Sequence, residues 1–244
     1  MDDPSPVPEH GTPPGMGSQQ SAPPCASTGL VPPVKVRVVT SSEVAKLMSV
    51  APEGTEEQRV YGKVFEEEYT MATYLYRNSK TTKELSRRFS QNIATGLREE
   101  GVYSPQRVQA AVKMFSALLQ AGVRGRKPRT AFRRLSEGLY LAAQPDLEYR
   151  RPQETRARYF EFKTYPLTDY GRAQARAFAW VLQTDIILVG LREAQGEYLV
   201  ERETVPPSAF VPPAIPAELG IEQEFCALHE TPVGRCPTWE EVRR

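Results

Sequence analysis

The chain has 244 residues, 40% of them hydrophobic and 25% charged, with a net charge of +1. These totals fit a soluble globular protein of one domain plus a tail, or two small domains. No apolar run approaches the roughly 18 residues needed to cross a bilayer, so no membrane partner is expected.

Three cysteines, Cys25, Cys226 and Cys236, are too sparse and too odd in number for a disulfide framework. The acidic N-terminus has neither the apolar core of a secretory signal nor the Arg-rich pattern of a transit peptide. The expected setting is intracellular and reducing, with nucleus, cytoplasm and organelle all open. The small net charge hides a polarised layout. Arg77 to Arg134 holds fourteen Lys or Arg against three Glu, whereas Glu193 to Arg244 holds ten Glu against four Arg. A basic block of that size sets up a local positive field.

In chain order, residues 1–34 are rich in Pro, Ser, Gly and Gln. They cannot bury enough apolar area to offset their ordering entropy, so a disordered tail is expected. Val34 to Val39 alternates as a half-buried strand. Thr55-Glu-Glu-Gln58 is a capping box that starts a helix with Tyr61, Val64, Phe65 and Ala72 on one face. Glu68 falls on that stripe, and Glu66 lies further round. Thr81 to Gly101 is a second, basic helix. Ser104-Pro105 opens a third, with Val108, Val112, Phe115, Leu118 and Leu119 as its apolar face. A flexible basic loop follows, and Arg124, Arg126, Lys127, Arg129, Arg133 and Arg134 are its candidate phosphate contacts.

Leu139 to Ala143 and Leu147 to Arg150 are strand-like, separated by Pro145-Asp146. Arg158 to Thr164 alternates, so Glu161 and Lys163 share one face while Phe160 and Phe162 share the other. Asp169 to Gln183 is helical, capped by Thr168 or Asp169, with Gln174 and Phe178 on one face. Asp185 to Leu191 and Tyr198 to Thr204 are further strands around a Gln195-Gly196 turn. This order gives an α/β domain with a mixed sheet. The sequence divides into the tail (1–34), a domain over 35–204 that contains the basic helical region 77–134, and a Pro-rich, acidic extension (205–244) with a helix from Thr238.

Phosphodiester hydrolysis requires relief of the charge on the ester, and bound Mg²⁺ or Mn²⁺ supplies it. Mg²⁺ needs only one or two carboxylates beside its waters. Asp146 and Glu161 supply them if their strands are neighbours, and Lys163 shares the face of Glu161. The set Pro145-Asp146, Glu161-Phe-Lys163-Thr164 and Gln174-Ala-Arg-Ala-Phe178 resembles the PD-(D/E)xK nuclease superfamily, in its RecB-like branch. The resemblance covers roughly Val60 to Thr204. It implies a restriction-endonuclease-like core, a central mixed β-sheet flanked by helices, with the basic region as a helical insertion. It also implies metal-dependent cleavage of DNA, with RNA as the other substrate, by an exonuclease or a processing nuclease. By the same resemblance Asp146 and Glu161 bind metal, Lys163 assists the water, Gln174 orients the site, and Glu68 is a further metal carboxylate with Glu66 as the alternative.

Two positions depart from the branch: Glu66 stands where Gly-x-x-x-His has histidine, counted from Gly62, and Phe178 replaces a tyrosine. Four cysteines for an iron–sulfur cluster are lacking, so none is expected. Cys226, His229 and Cys236 would supply only three of the four ligands of a structural zinc site, and without an identifiable fourth no zinc is expected. The alternative reading is a non-catalytic nuclease-fold module that binds nucleic acid or protein. Convergence of Asp146, Glu161 and Lys163 on one pocket, with Glu68 or Glu66 nearby, is what separates the nuclease from an unrelated fold.

Overall fold

Apolar and polar residues alternate through Val-Lys-Val-Arg-Val, and this stretch pairs on both sides. In the computed structural model, residues 32–49, 55–75, 82–121, 123, 125–150, 154–195, 197–226 and 230–233 are described. Strand β1 (Val34–Thr40) runs parallel to β3 (Leu139–Ala143) and antiparallel to β8 (Ile221–Cys226). With β2 (Ala131–Ser136) and β9 (Thr231–Pro232) they form a sheet of order β2-β3-β1-β8-β9. A second sheet has the order β4-β5-β6-β7, from Leu147–Tyr149, Arg158–Phe162, Ile186–Ala194 and Glu197–Val205. Only β5 and β6 are parallel within it. The protein is therefore mixed α/β, with two mixed sheets where the sequence suggests one.

The chain passes from one sheet to the other at Gln144-Pro145-Asp146, between β3 and β4. Pro145 has no N–H to donate and cannot continue a ladder, which separates the two strands.

The α-helices among the described residues are α1 (Ser41–Met48), α2 (Glu56–Leu75), α3 (Thr82–Glu99), α4 (Pro105–Gln120) and α5 (Asp169–Leu182). Their starts follow the capping signals. Thr55 and Gln58 exchange the two capping-box bonds, the Ser104 hydroxyl accepts from the Arg107 N–H, and the Thr168 hydroxyl accepts from the Gly171 N–H. Among the described residues no helix is long and apolar enough to cross a membrane.

Helices α2, α3 and α4 cover one face of the second sheet. Phe65 and Tyr69 of α2 pack on Phe162 at 5.9 and 5.2 Å between ring centroids, and Phe89 stacks on Phe115 at 4.1 Å. Leu147, Phe160, Val189 and Leu191 complete this core. Helix α5 fills the space between the sheets. Ala175, Ala177 and Ala179 share a core with Val39 and Leu141 on one side and Ile186 and Leu188 on the other. Its small side chains allow both sheets to approach it, and its buried surface runs around most of the helix.

Three expectations change. The helical insertion is built into the core: α3 and α4 supply most of the buried helical residues that pack on the second sheet. The face of α4 is wider than its pattern suggests, since Ala110, Ala111 and Met114 are buried while Val108 and Val112 are only half-buried. The domain does not end at residue 204, because β8 adds to β1 and places residues 221–226 inside the first sheet. The expected tail over 1–34, except its last residues, and the helix from Thr238 lie outside the described residues.

Gly190 of β6 fixes the loop that follows β5. A methyl group there would meet Leu167 Cδ2 at 2.4 Å and the Tyr165 carbonyl at 3.2 Å. That loop is tied down by Leu191 N–H donating to the Tyr165 carbonyl and Lys163 N–H to the Val189 carbonyl. Gly190→Ala is expected to lower the urea midpoint by the equivalent of about 1–3 kcal/mol, the usual cost of overpacking. An unchanged midpoint would show that the loop yields freely.

Candidate active site

The alternation of β5 sets the site. Phe160 and Phe162 are held in the helical core, so Glu161 and Lys163 turn to the face that α5 covers. Glu161 is 3% exposed and Lys163 and Gln174 are each 9% exposed. Lys163 Nζ donates to Glu161 Oε1 at 2.7 Å and to Gln174 Oε1 at 2.8 Å. Gln174 Nε2 donates in turn to Ser42 Oγ at 3.1 Å. An ammonium only donates, so it fixes which end of the Gln174 amide faces it, and the Ser42 hydroxyl satisfies the other end.

Asp146 precedes β4 by one residue. Leu147 pairs with Phe160, so Asp146 falls opposite Glu161 on the antiparallel partner. Its Oδ2 accepts the Phe162 N–H at 2.6 Å. The second carboxylate oxygen of Glu161, Oε2, is buried without a hydrogen-bond partner. A buried orphan of that kind is costly unless a cation or water meets it.

These groups line one cavity of about 230 Å³, with Ser42, Gly62, Glu66, Asp146, Glu161, Lys163, Thr164 and Gln174 in its wall. A larger cleft of about 670 Å³ opens at the other end of β5. There Glu154 and Arg158 pair with each other at 2.6 Å.

Helix α2 contributes Glu66 and not Glu68. Glu66 lies one turn beyond Gly62 on the cavity side, and its charge acts on both Asp146 and Glu161. Glu68 points to α3, where it bonds Asn92, and its Oε2 is buried without a partner. Burial, with Glu67 and Glu99 nearby, raises its pKa above the ordinary range despite the Asn92 bond. The spacing from Gly62 carried this information; the apolar stripe misled.

The described basic residues of this set have separate surroundings. Arg126 exchanges both backbone hydrogen bonds with Glu148 and pairs with its side chain at 3.4 Å. Gly125 makes that approach possible, since a methyl group on it would sit 2.0 Å from the Glu148 carbonyl oxygen. Gln144 Nε2 donates to the Pro128 carbonyl at 2.9 Å, so the expected flexible loop is tied at two points. Lys127 Nζ reaches Glu66 Oε1 at 2.6 Å. Arg133 donates to the Trp180 carbonyl at 2.5 Å and lies over its ring, where it caps the C-terminal end of α5. Arg134 follows it on the strand and is exposed, as is Arg129. Arg124, His229, Cys25 and Cys236 lie outside the described residues, and Cys226 is buried on β8.

The electrostatics follow from crowding. Burial, then Glu161 and Glu66, hold the Asp146 carboxyl well above its ordinary range. Burial also raises Glu161, though Lys163 offsets part of this. Burial alone would lower the Lys163 ammonium; Glu161 and Asp146 outweigh it and hold its pKa above the ordinary lysine value. The group is an ammonium at neutral pH and acts as a donor. Two of its three protons are engaged by Glu161 and Gln174.

No protein-family model, no curated protein and no solved structure matches this chain. Among the described residues no three His, Cys, Asp or Glu side chains already stand as a closed metal cage. The donor set still fits a hard cation that keeps most of its waters: carboxylate oxygens only, one of them buried and unpartnered.

A carboxyl whose pKa is higher in the folded than the unfolded chain binds more protons when folded. The stability it contributes is present at low pH and is lost as pH rises from the ordinary range through the raised value. Asp146→Asn keeps an acceptor for the Phe162 N–H and removes the charge. At pH 8 with a chelator it is expected to raise the melting temperature, by about 2–4 °C for each kcal/mol relieved. A melting temperature equal to or below that of the wild type would count against crowding at this site.

Proposed function

We propose that this protein is a divalent-metal-dependent nuclease that hydrolyses phosphodiester bonds in DNA. The observation that carries this reading is the meeting of Asp146, Glu161, Lys163 and Gln174 in one cavity with Glu66, which comes from a helix far upstream in the sequence. On this reading the order α2, β3, β4, β5, α5, β6 is the restriction-endonuclease-like core.

Asp146 and Glu161 would hold Mg²⁺ or Mn²⁺, with Glu66 as the third carboxylate. Such a cation offsets the charge of the phosphodiester and activates a water. The remaining roles belong to the protein. Lys163, kept protonated by Glu161 and Asp146, presents its third proton toward the cavity, as a donor to a phosphate oxygen or to the attacking water. Gln174 holds that ammonium in place, and Ser42 holds Gln174. Phe162 contributes its N–H, which orients the Asp146 carboxylate.

Glu66, standing where the resemblance has histidine, favours a second reading, a nuclease-fold module that binds nucleic acid or protein without cutting. The two are separated by incubating end-labelled single- and double-stranded DNA, and RNA in parallel, with Mg²⁺, Mn²⁺ or a chelator. Cation-dependent degradation of DNA is expected. Lys163→Ala should reduce it by about 10²–10³, the usual cost of removing one transition-state donor, with an unchanged circular dichroism spectrum. DNA binding without cleavage under any cation would leave the binding module; undiminished cleavage by K163A would remove Lys163 from the chemistry.

A further inference from the structure

The Lys127–Glu66 ion pair joins two features that the proposed function leaves separate. Glu66 stands in the wall of the cavity and its side chain is 18% exposed, while that of Lys127 is 52% exposed. The backbone beside Lys127 is anchored: Arg126 is paired with Glu148 on the edge of β4, and Gly125 is pressed against the same carbonyl. The loop thus delivers a lysine stem to the mouth of the site from a fixed point. The ammonium at its end touches Glu66 and feels Asp146 as well.

A lysine is a point charge on a flexible four-carbon stem, so its head moves more freely than its attachment. A divalent cation approaching Glu66 competes for the same carboxylate oxygen that Lys127 now occupies. The half-exposed ammonium has a path to solvent, and the nearest new anion at the mouth of this cavity is a phosphate of the incoming strand.

We propose that Lys127 is an exchangeable counter-ion. It neutralises Glu66 while the site is metal-free, and it transfers to a substrate phosphate when a cation takes Glu66. This rests on the reading of the cavity as a phosphodiester site. The cation and the polynucleotide each have to break the same ion pair, so each lowers the cost for the other, and the coupling is reciprocal. Lys127 remains a phosphate contact, conditional on what Glu66 holds.

The test is fluorescence anisotropy with a labelled DNA oligonucleotide in EDTA, on the full chain and on Glu66→Gln, Lys127→Met and the double variant. Both side chains reach solvent, and circular dichroism confirms that each variant is folded. Glu66→Gln frees Lys127 without metal. It is expected to tighten DNA binding about fivefold more when Lys127 is present than in the K127M background, at the lower end of typical coupling between sites. The slope of log affinity against log salt should steepen by about one phosphate contact in E66Q and not in the double variant.

A Mn²⁺ titration without DNA gives a second readout, and K127M should bind Mn²⁺ more tightly than the wild type. An equal gain from E66Q in both backgrounds, or equal Mn²⁺ affinity, overturns the exchange and leaves the nuclease reading to the Lys163 experiment. Coupled binding in a wild type that never cleaves DNA keeps the exchange and removes the nuclease reading. Failure of all four proteins to bind DNA overturns both.

Discussion

The buried contact between Glu161 and Lys163 is the constraint on which the rest of the site depends. An ion pair this deep gains Coulomb energy and loses the solvation of both partners, and the balance favours it only when the remaining hydrogen-bonding positions are met. Here Gln174 meets one, Ser42 supports Gln174, and the Phe162 N–H engages the neighbouring Asp146. One oxygen of Glu161 is left over. The arrangement is possible because Phe162 is gripped by Phe65 and Tyr69 on the other side of the strand. A strand places successive side chains on opposite faces, so the aromatic grip and the polar site enforce each other.

That part of the molecule was legible in the sequence because its rules are local. A period of two placed Glu161 and Lys163 together, and capping residues marked the starts of α2, α4 and α5. The choice between Glu66 and Glu68 shows where local rules stop. At about 100° per residue the two lie roughly 200° apart on α2, so one faces the cavity and the other faces α3. Both had credentials in sequence: a stripe shared with Phe65 and Ala72 for one, and one turn beyond Gly62 for the other. The decision lay in what packs on each side of α2, and α3 covers the side that bears Glu68. The division of the strands into two sheets and the addition of β8 to β1 depend on pairings across long stretches of chain, which no window of sequence contains.

Charge was the least transferable signal. The net positive charge of residues 77–134 is real as a sum, yet three of its described cations have internal duties. Arg126 pins its loop to β4, Arg133 caps α5 through Trp180, and Lys127 faces Glu66. A count of basic residues speaks of long-range attraction; it does not separate cations that await a partner from those that already have one.

The pairing of β1 with β8 has a consequence for how the protein is made. Val34 and Phe225 are register partners, and of the described strands the one between β3 and β8 in the first sheet is made before either of them. Until β8 emerges, β1 has one open edge, even after β3 is in place. The second sheet and its helical cover are built from residues 56 to 205 and have no such wait. During synthesis the half of the protein that bears Asp146, Glu161 and Lys163 can condense first, and the sheet that backs α5 closes last. Non-local pairing of this kind is slow and leaves strand edges exposed to other chains. Crowding by nascent copies should therefore act on β1 before it acts on the strands that carry the cavity.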